Sequence, residues 1–400
     1  LEPLYLDHAS TTPPLPVALE AFVAAARSHW ANPGSLHRAG AEASLALERA
    51  RTELARALGV EGWRVVFTAS GTESNLLGIQ GGARAARKRA ERDSDGKRAR
   101  VLFGGVEHPC SRQAAEALEA EGFVAEALPV DRFGVVRAEA LTARLGPDVA
   151  AVTVHWANNE LGTLNPIADL VAATRRLAPH AFFHCDAVQA AGKRAEPLAA
   201  LGADAIAVAA HKLGGVRGCA ALLLRPGARE PRPMMIGGGH EGGLRSGTEN
   251  VMGAVAFACA AQVRSELFAH EPRALLDRRA RLLALLQERA PDLVEVAPAP
   301  EREILGSILS VAFPGARART LLTAMEARGV YVGSGSACHG SGAQKISPVL
   351  QAIGFDDALS GSVLRFSLCG TESEADLVRA ADALAEARAA LAASPAGHAG

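Results

Sequence analysis

Short apolar runs of strand length alternate along this chain with longer stretches in which apolar residues recur every three or four positions. The runs lie at Arg64–Thr68, Val101–Phe103, Ala150–His155, Ala181–Cys185, Ala205–Ala210 and Cys219–Leu224. The helical period falls at Val17–His29, Ala41–Leu58, Asn75–Arg92, Ser111–Glu121 and Ile167–Leu177. Strands that alternate with helices predict a mostly parallel sheet covered on both faces. The regularity stops near Val251. Two long helical stretches follow, Ala254–Phe268 and Pro272–Arg289, then strands, a helix at Thr320–Arg328 and a last helix at Glu372–Ala392. The pattern predicts an α/β chain in four parts. Residues 1–16 form an extended, proline-rich segment joining the small domain, and 17–255 form the large domain. Residues 256–393 form a smaller α+β domain, and 394–400 a disordered tail.

Composition narrows the possibilities. Four hundred residues, 49% of them apolar, supply a sizeable core and argue against wholesale disorder. With 42 basic and 43 acidic residues the net charge is −1, so no global field draws the chain to nucleic acid or membrane. The basic run Arg84–Arg100 also holds Glu91, Asp93 and Asp95 and reads as a solvated helix end and loop. Six cysteines (110, 185, 219, 259, 338 and 369) show no CxxC spacing, hence no disulfide framework and no metal pattern. Cys185, Cys219 and Cys259 lie in apolar segments as small core residues. The N-terminus lacks a secretory signal pattern, and no apolar run approaches membrane-spanning length. The expectation is a soluble protein of the reducing cytoplasm.

The chemistry concentrates at strand ends. Ala205–Ala210 ends in His211-Lys212 and glycines, and Ala181-Phe-Phe ends in His184-Cys-Asp186. Open α/β sheets bind ligands at that edge. A lysine amine forms a Schiff base with an aldehyde, and an aspartate holds a protonated pyridine nitrogen. These are the two groups that pyridoxal phosphate requires of a protein. Ser70-Gly71-Thr72-Glu73 opens a helix after a strand, which suits a phosphate as well as an ordinary capping box. Glu107-His108 and Asn158-Asn159-Glu160 follow strands on the same side. Gly237–Asn250 is glycine-dense, as for close approach to a ligand or another chain. Cys338 sits among glycines and serines, a composition that argues for a mobile exposed loop. Arg365 lies in an apolar strand, where a substrate carboxylate is a natural two-pronged partner.

Assembled, these motifs resemble the cysteine desulfurases, of the class V aminotransferase group of fold-type I pyridoxal phosphate enzymes. The resemblance runs from Tyr5-Leu-Asp-His-Ala-Ser-Thr-Thr-Pro13 to Arg365 and takes in Asn32-Pro-Gly-Ser-Leu-His37, Gly71–Asn75, Asn158–Gly162, Asp186–Gln189, Arg245–Asn250 and Ser336-Ala-Cys338. It implies a seven-stranded-type sheet in a large cofactor-binding domain and a homodimer. Lys212 would carry the cofactor and Asp186 would pair with its ring nitrogen. His108 would stack on the ring, and Asn159 and Gln189 would bond its hydroxyl. Gly71, Thr72 and His211 would hold the phosphate, with Thr248 reaching in from a second subunit. Arg365, with Asn159, would bind the carboxylate of L-cysteine. Cys338 would attack the substrate sulfur, leaving a persulfide for a sulfur-acceptor protein, as in iron–sulfur cluster assembly, and releasing alanine.

Four departures from the family pattern stand out. Ala209 replaces a serine that usually helps hold the phosphate, and His8-Ala9-Ser10 replaces Asn-Ala-Ala at the expected substrate mouth. Val216 stands where a proline often follows the glycine. The segment Cys338–Pro348 also resembles that of selenocysteine lyases. Selenocysteine lyase, or a class V aminotransferase or epimerase with an incidental Cys338, are therefore the alternative readings. A cofactor-binding sulfur carrier without turnover is disfavoured by the Lys212, Asp186 and His108 set.

Overall fold

The computed structural model describes residues 2–334 and 347–392. Cys338, most of the loop expected around it, and the tail from 393 onward lie outside the described residues. Strands β2 (Arg64–Thr68), β3 (Arg100–Gly104), β4 (Val124–Leu128), β5 (Val149–His155), β6 (Phe182–Asp186), β7 (Ala205–Ala209) and β8 (Ala220–Leu224) form one sheet; β1 (Leu4–Leu6) lies outside it. The order is β2-β8-β7-β6-β5-β3-β4. The pairs from β7 through β4 are parallel, and β8 runs antiparallel to both neighbours.

Alternating side chains explain why the apolar runs are nearly continuous. Val65, Phe67, Leu102, Ile206, Val208, Ala221 and Leu223 pack into a core on one face. Val66, Val101, Phe103, Ala205, Ala207, Leu222 and Leu224 pack into a second core on the other. A strand buried on both faces has no polar side to show, as parallel sheets demand.

The remaining strands are β9 (Val294–Glu295), β10 (Ile308–Ala312), β11 (Val330–Val332) and β12 (Val363–Ser367). β12, β10 and β9 form an antiparallel sheet, and β1 pairs with β11 in parallel. Leu4 and Leu6 thereby join the core made by the helices Ala274–Arg289, Ala318–Glu326 and Glu374–Ala392. The N-terminal segment is thus stitched to the far end of the chain.

Three features differ from the sequence expectation. β4 was not anticipated; it is an edge strand with mostly half-buried residues and carries Glu126. The helix expected at Asn75–Arg92 is Gly71–Leu76, a wide π turn at Leu77–Gly81, and Gly82–Asp93. Its glycines press against the sheet. A Cβ on Gly78 would fall 2.3 Å from His184 Cδ2, and one on Gly82 would fall 2.2 Å from Phe182 Cδ1. The inserted turn seats both glycines on the strands, a role suited to a π bulge. Third, the twenty-residue helix Val251–His270 is long and apolar enough, by length and composition, to cross a membrane. Here it is mostly buried, packed on the helices Pro16–Ser28 and Arg38–Ala57. Its start contributes Ala254 and Phe257 to the first core and its end Phe268 to that of the C-terminal part. The division expected at residue 255 falls inside this helix.

Candidate active site

The parallel strands deliver their C-terminal ends to one cavity of about 420 Å³. β7 is fully buried, and a single 3₁₀ turn, Ala210–Lys212, follows it. Gly214, at φ +85°, turns the chain back immediately afterwards, so Lys212 is presented at the sheet edge. Its Nζ donates to the carbonyls of Ala9 and Ser10, the latter at 2.9 Å. His211 Nδ1 lies 3.1 Å from Thr11 Oγ1. Burial, and the Lys212 cation next to it, push the His211 imidazole down to about 4, so it is neutral at pH 7.

Asp186 ends the neighbouring strand β6. Its Oδ1 accepts from Val188 N at 2.9 Å and its Oδ2 from Asn75 Nδ2 at 2.6 Å. Asn75 is itself buried in the helix that Gly71 opens. Ser70 caps that helix by accepting from Glu73 N. A Cβ on Gly71 would stand 3.0 Å from Val188 Cγ2 and 3.4 Å from Ala209 Cβ, so glycine lets the helix start sit this close without pushing those neighbours back.

β3 leads through Gly104-Gly105 to Glu107 and His108. A Cβ on Gly104 would fall 2.7 Å from Glu107 Oε1, and its absence lets that carboxylate fold back under the sheet edge. There Oε1 accepts from His155 N at 2.7 Å and lies 2.9 Å from His155 Nδ1. Burial pulls the His155 imidazole down, but Glu107 more than offsets this and holds it above its usual value. His108 caps the next helix, its Nδ1 accepting from Cys110 N and lying 2.9 Å from Cys110 Sγ. Burial, then Asp186, push the Cys110 thiol up to about 11, which keeps it protonated.

Gly71, Thr72, His108, Asn159, Asp186, Gln189, His211 and Lys212 therefore all line the same cavity. Arg365 does not line it. Its buried guanidinium donates to Asp7 Oδ1 (2.8 Å), Ser10 Oγ (2.8 Å) and the Asn159 carbonyl (3.0 Å), and so braces two lining residues from behind. Thr248 is exposed and outside the cavity of this single chain. Ala209 is fully buried and brings no hydroxyl. His8, expected at the substrate mouth, is buried and absent from the cavity wall, because its ring turns inward to Thr12 and Tyr5. Sequence reasoning missed Asn75, Cys110 and His155 as lining residues.

The wall fits a pyridoxal phosphate. Asn75 Oδ1, Gln189 Oε1 and His155 Nε2 are buried polar atoms without a protein partner, and all three residues face the cavity. Such atoms require a partner from outside the chain. An anionic carboxylate, an amine and a helix start stand around them, matching a ring nitrogen, an aldehyde and a phosphate.

Residues 4–379 match the Aminotransferase class-V family. The chain is 40% identical over 400 residues to an IscS-like cysteine desulfurase of Mycobacterium tuberculosis, covering 98% of each. It is 33% identical over 385 residues to a cysteine desulfurase of Rattus norvegicus, covering 94% of this chain and 81% of that one. Among solved structures, a NifS-like protein superposes with a TM-score of 0.85 at 29% identity, covering 97% and 99%. A structure described as SspA in complex with cysteine does so with 0.75 at 26% identity, covering 92% and 100%.

Proposed function

Since the chain belongs to the class V aminotransferase family, and within it to the cysteine desulfurases, we propose that it takes sulfur from L-cysteine through the residues of this cavity. It is a pyridoxal phosphate enzyme. The observation that carries the assignment of residues is the convergence of Lys212 and Asp186, from adjacent strand ends, on one cavity wall.

The cofactor, when bound, supplies an electron sink for a bond broken at the substrate α-carbon. Lys212 is the anchoring amine, and once released it holds and moves the α-proton. Asp186, fixed by Asn75 and the Val188 amide, keeps a carboxylate against the ring nitrogen. The N–H groups at Gly71 and Thr72 would hold the phosphate together with His211, whose neutral ring adds no charge there. His108 would cover the ring, and Asn159 and Gln189 would address its hydroxyl. Gln189 has committed its amide nitrogen to Ala9 O, so its free atom is an acceptor. Arg365, at 1% exposure, orients the substrate carboxylate through the Asn159–Ser10 wall.

Cys338 is the nucleophile in this reading. Its thiolate forms an S–S bond to the substrate sulfur as the C–S bond breaks. The carbon takes up a proton and leaves as L-alanine, and a persulfide remains for a protein acceptor, as iron–sulfur cluster assembly requires. The working form is a homodimer. Trp30, Leu36, Met235 and Ile236 are exposed large apolar side chains that a second copy would cover. Thr248 lies exposed on the same glycine-dense loop as His240 and would reach the partner's phosphate. Five free cysteines among the described residues accord with a cytoplasmic setting.

The test is a sulfide and alanine assay on L-cysteine, with and without a thiol reductant, followed by intact mass. A mass gain of one sulfur, lost in Cys338→Ser, is expected. Alanine formation at the wild-type rate by Cys338→Ser would sink the nucleophile assignment. Turnover of selenocysteine alone would transfer the reading to a lyase.

A further inference from the structure

We propose that His8, Cys369 and Glu372 form a binding site for a thiophilic divalent cation of the zinc class, behind the wall that carries Lys212. His8 stands just after β1; Cys369 and Glu372 lie in the loop that leaves β12. The sequence shows no metal-ligand spacing because the ligands come from opposite ends of the chain. Their ligand atoms all lie within 4.8 Å of one another. Tetrahedral bonds of about 2.0–2.3 Å place ligand atoms roughly 3.3–3.8 Å apart, so side-chain rotations of about an ångström close the shell.

The surroundings already orient each ligand as metal sites do. His8 Nδ1 lies 3.3 Å from Thr12 Oγ1, which leaves Nε2 turned to Glu372 Oε1 at 4.0 Å. The Glu372 carboxylate is aimed by two backbone donors, Cys369 N at 2.6 Å and Gly370 N at 3.0 Å. Cys369 Sγ lies 3.1 Å from Thr371 Oγ1, which with water is a candidate for the fourth position. His8 and Glu372 are buried, whereas Cys369 is only partly so and provides the entry path.

The donor set and its charge select the ion. One sulfur and one imidazole favour zinc-like ions over calcium or magnesium, which take oxygen. On binding, a metal–sulfur bond forms and the thiol proton leaves to solvent. A dication with one thiolate, one carboxylate and one neutral imidazole sums to zero. That matters because the buried Arg264 guanidinium stands nearby, donating to Cys369 O at 2.8 Å. An ion that cannot displace the thiol proton would add uncompensated positive charge beside it. His8 precedes Ala9 and Ser10, whose carbonyls hold Lys212, so a bound ion would tie that support to the exit of β12.

The probe is Co²⁺ alone, titrated into the cofactor-loaded Cys338→Ala enzyme so that the other reactive thiol cannot contribute. Tetrahedral Co²⁺ bands to the red of the cofactor absorption, saturating at one ion per chain, are the expected result. Cys369→Ser and, separately, His8→Asn should each weaken binding by about 100-fold or more, with the cofactor spectrum and near-ultraviolet dichroism unchanged as the folding control. Zn²⁺ should displace the Co²⁺ signal. Absence of the bands in folded Cys338→Ala enzyme, or bands of equal affinity in folded Cys369→Ser, would overturn the proposal.

Discussion

Replacing Arg365 with lysine keeps a cation in the strand but removes the fork. In the structure the two terminal nitrogens divide three partners: Nη1 reaches the Asn159 carbonyl, and Nη2 reaches Asp7 and Ser10. One ammonium on a flexible stem can keep the Asp7 contact or the Asn159 contact, but it cannot span both. At least one charge-assisted hydrogen bond is lost, worth about 1.5–3 kcal/mol, or roughly 10- to 150-fold in an equilibrium constant. If the wall that the guanidinium braces orients the substrate carboxylate, that loss should appear as a rise in KM for L-cysteine of up to about 10- to 150-fold, with a smaller change in kcat. Methionine would be a poorer probe, because it also removes the cation that the partly buried Asp7 carboxylate faces and so mixes a folding effect with the substrate effect. The assay is alanine formation over a range of cysteine concentrations, run beside thermal unfolding. An unchanged KM at full cofactor occupancy refutes the substrate role and leaves Arg365 as a brace for Asp7, Ser10 and Asn159.

Three further outcomes are expected. Lys212→Ala should abolish the visible absorbance of cofactor bound through its aldehyde; persistence of a borohydride-reducible band would make another lysine the anchor. Asn75→Ala removes a donor 2.6 Å from Asp186 and should weaken cofactor binding about 10- to 150-fold, by the same charge-assisted bond; equal affinity by equilibrium dialysis would disprove the link. Stability should fall as pH drops from about 6.5 to 4, because burial holds His184 and, with Lys212, His211 down to about 4 while the unfolded chain takes up those protons near 6.5. Buried Glu160, its carboxyl pushed up to about 7, works in the opposite direction over the same range. The fully buried His184 alone accounts for about 3 kcal/mol, so His184→Asn should flatten the Tm–pH profile, and an unchanged slope would count against this origin.

What could be read before the structure follows from where the information sits. β5 and β7 were legible because burial on both faces forces an unbroken apolar run, and Lys212 and Asp186 were legible because each terminates such a run. β4 was not, since an edge strand tolerates Glu126 and loses its pattern. The π turn at Leu77–Gly81 answers to two side chains of β6, Phe182 and His184, a hundred residues away. Asn75 and His155 look like ordinary interior positions of a helix and a strand. Only the packing of that helix over β6 turns the Asn75 amide onto Asp186, and the missing Cβ at Gly104 leaves room for Glu107 to meet His155.

The pairing of β1 with β11 has a consequence for the order of events during synthesis. Residues 4–6 leave the ribosome 326 positions ahead of their strand partner at 330–332. Arg365, 358 positions from Asp7, closes the same junction. At about 5–20 residues per second, the N-terminal segment waits roughly 16–70 s for its seat. The carbonyls of Ala9 and Ser10 belong to that waiting segment. The lysine they hold therefore acquires its setting only after residues 330–332 have been made, and a nascent chain halted before residue 330 would carry the large sheet with its cavity still lacking one wall.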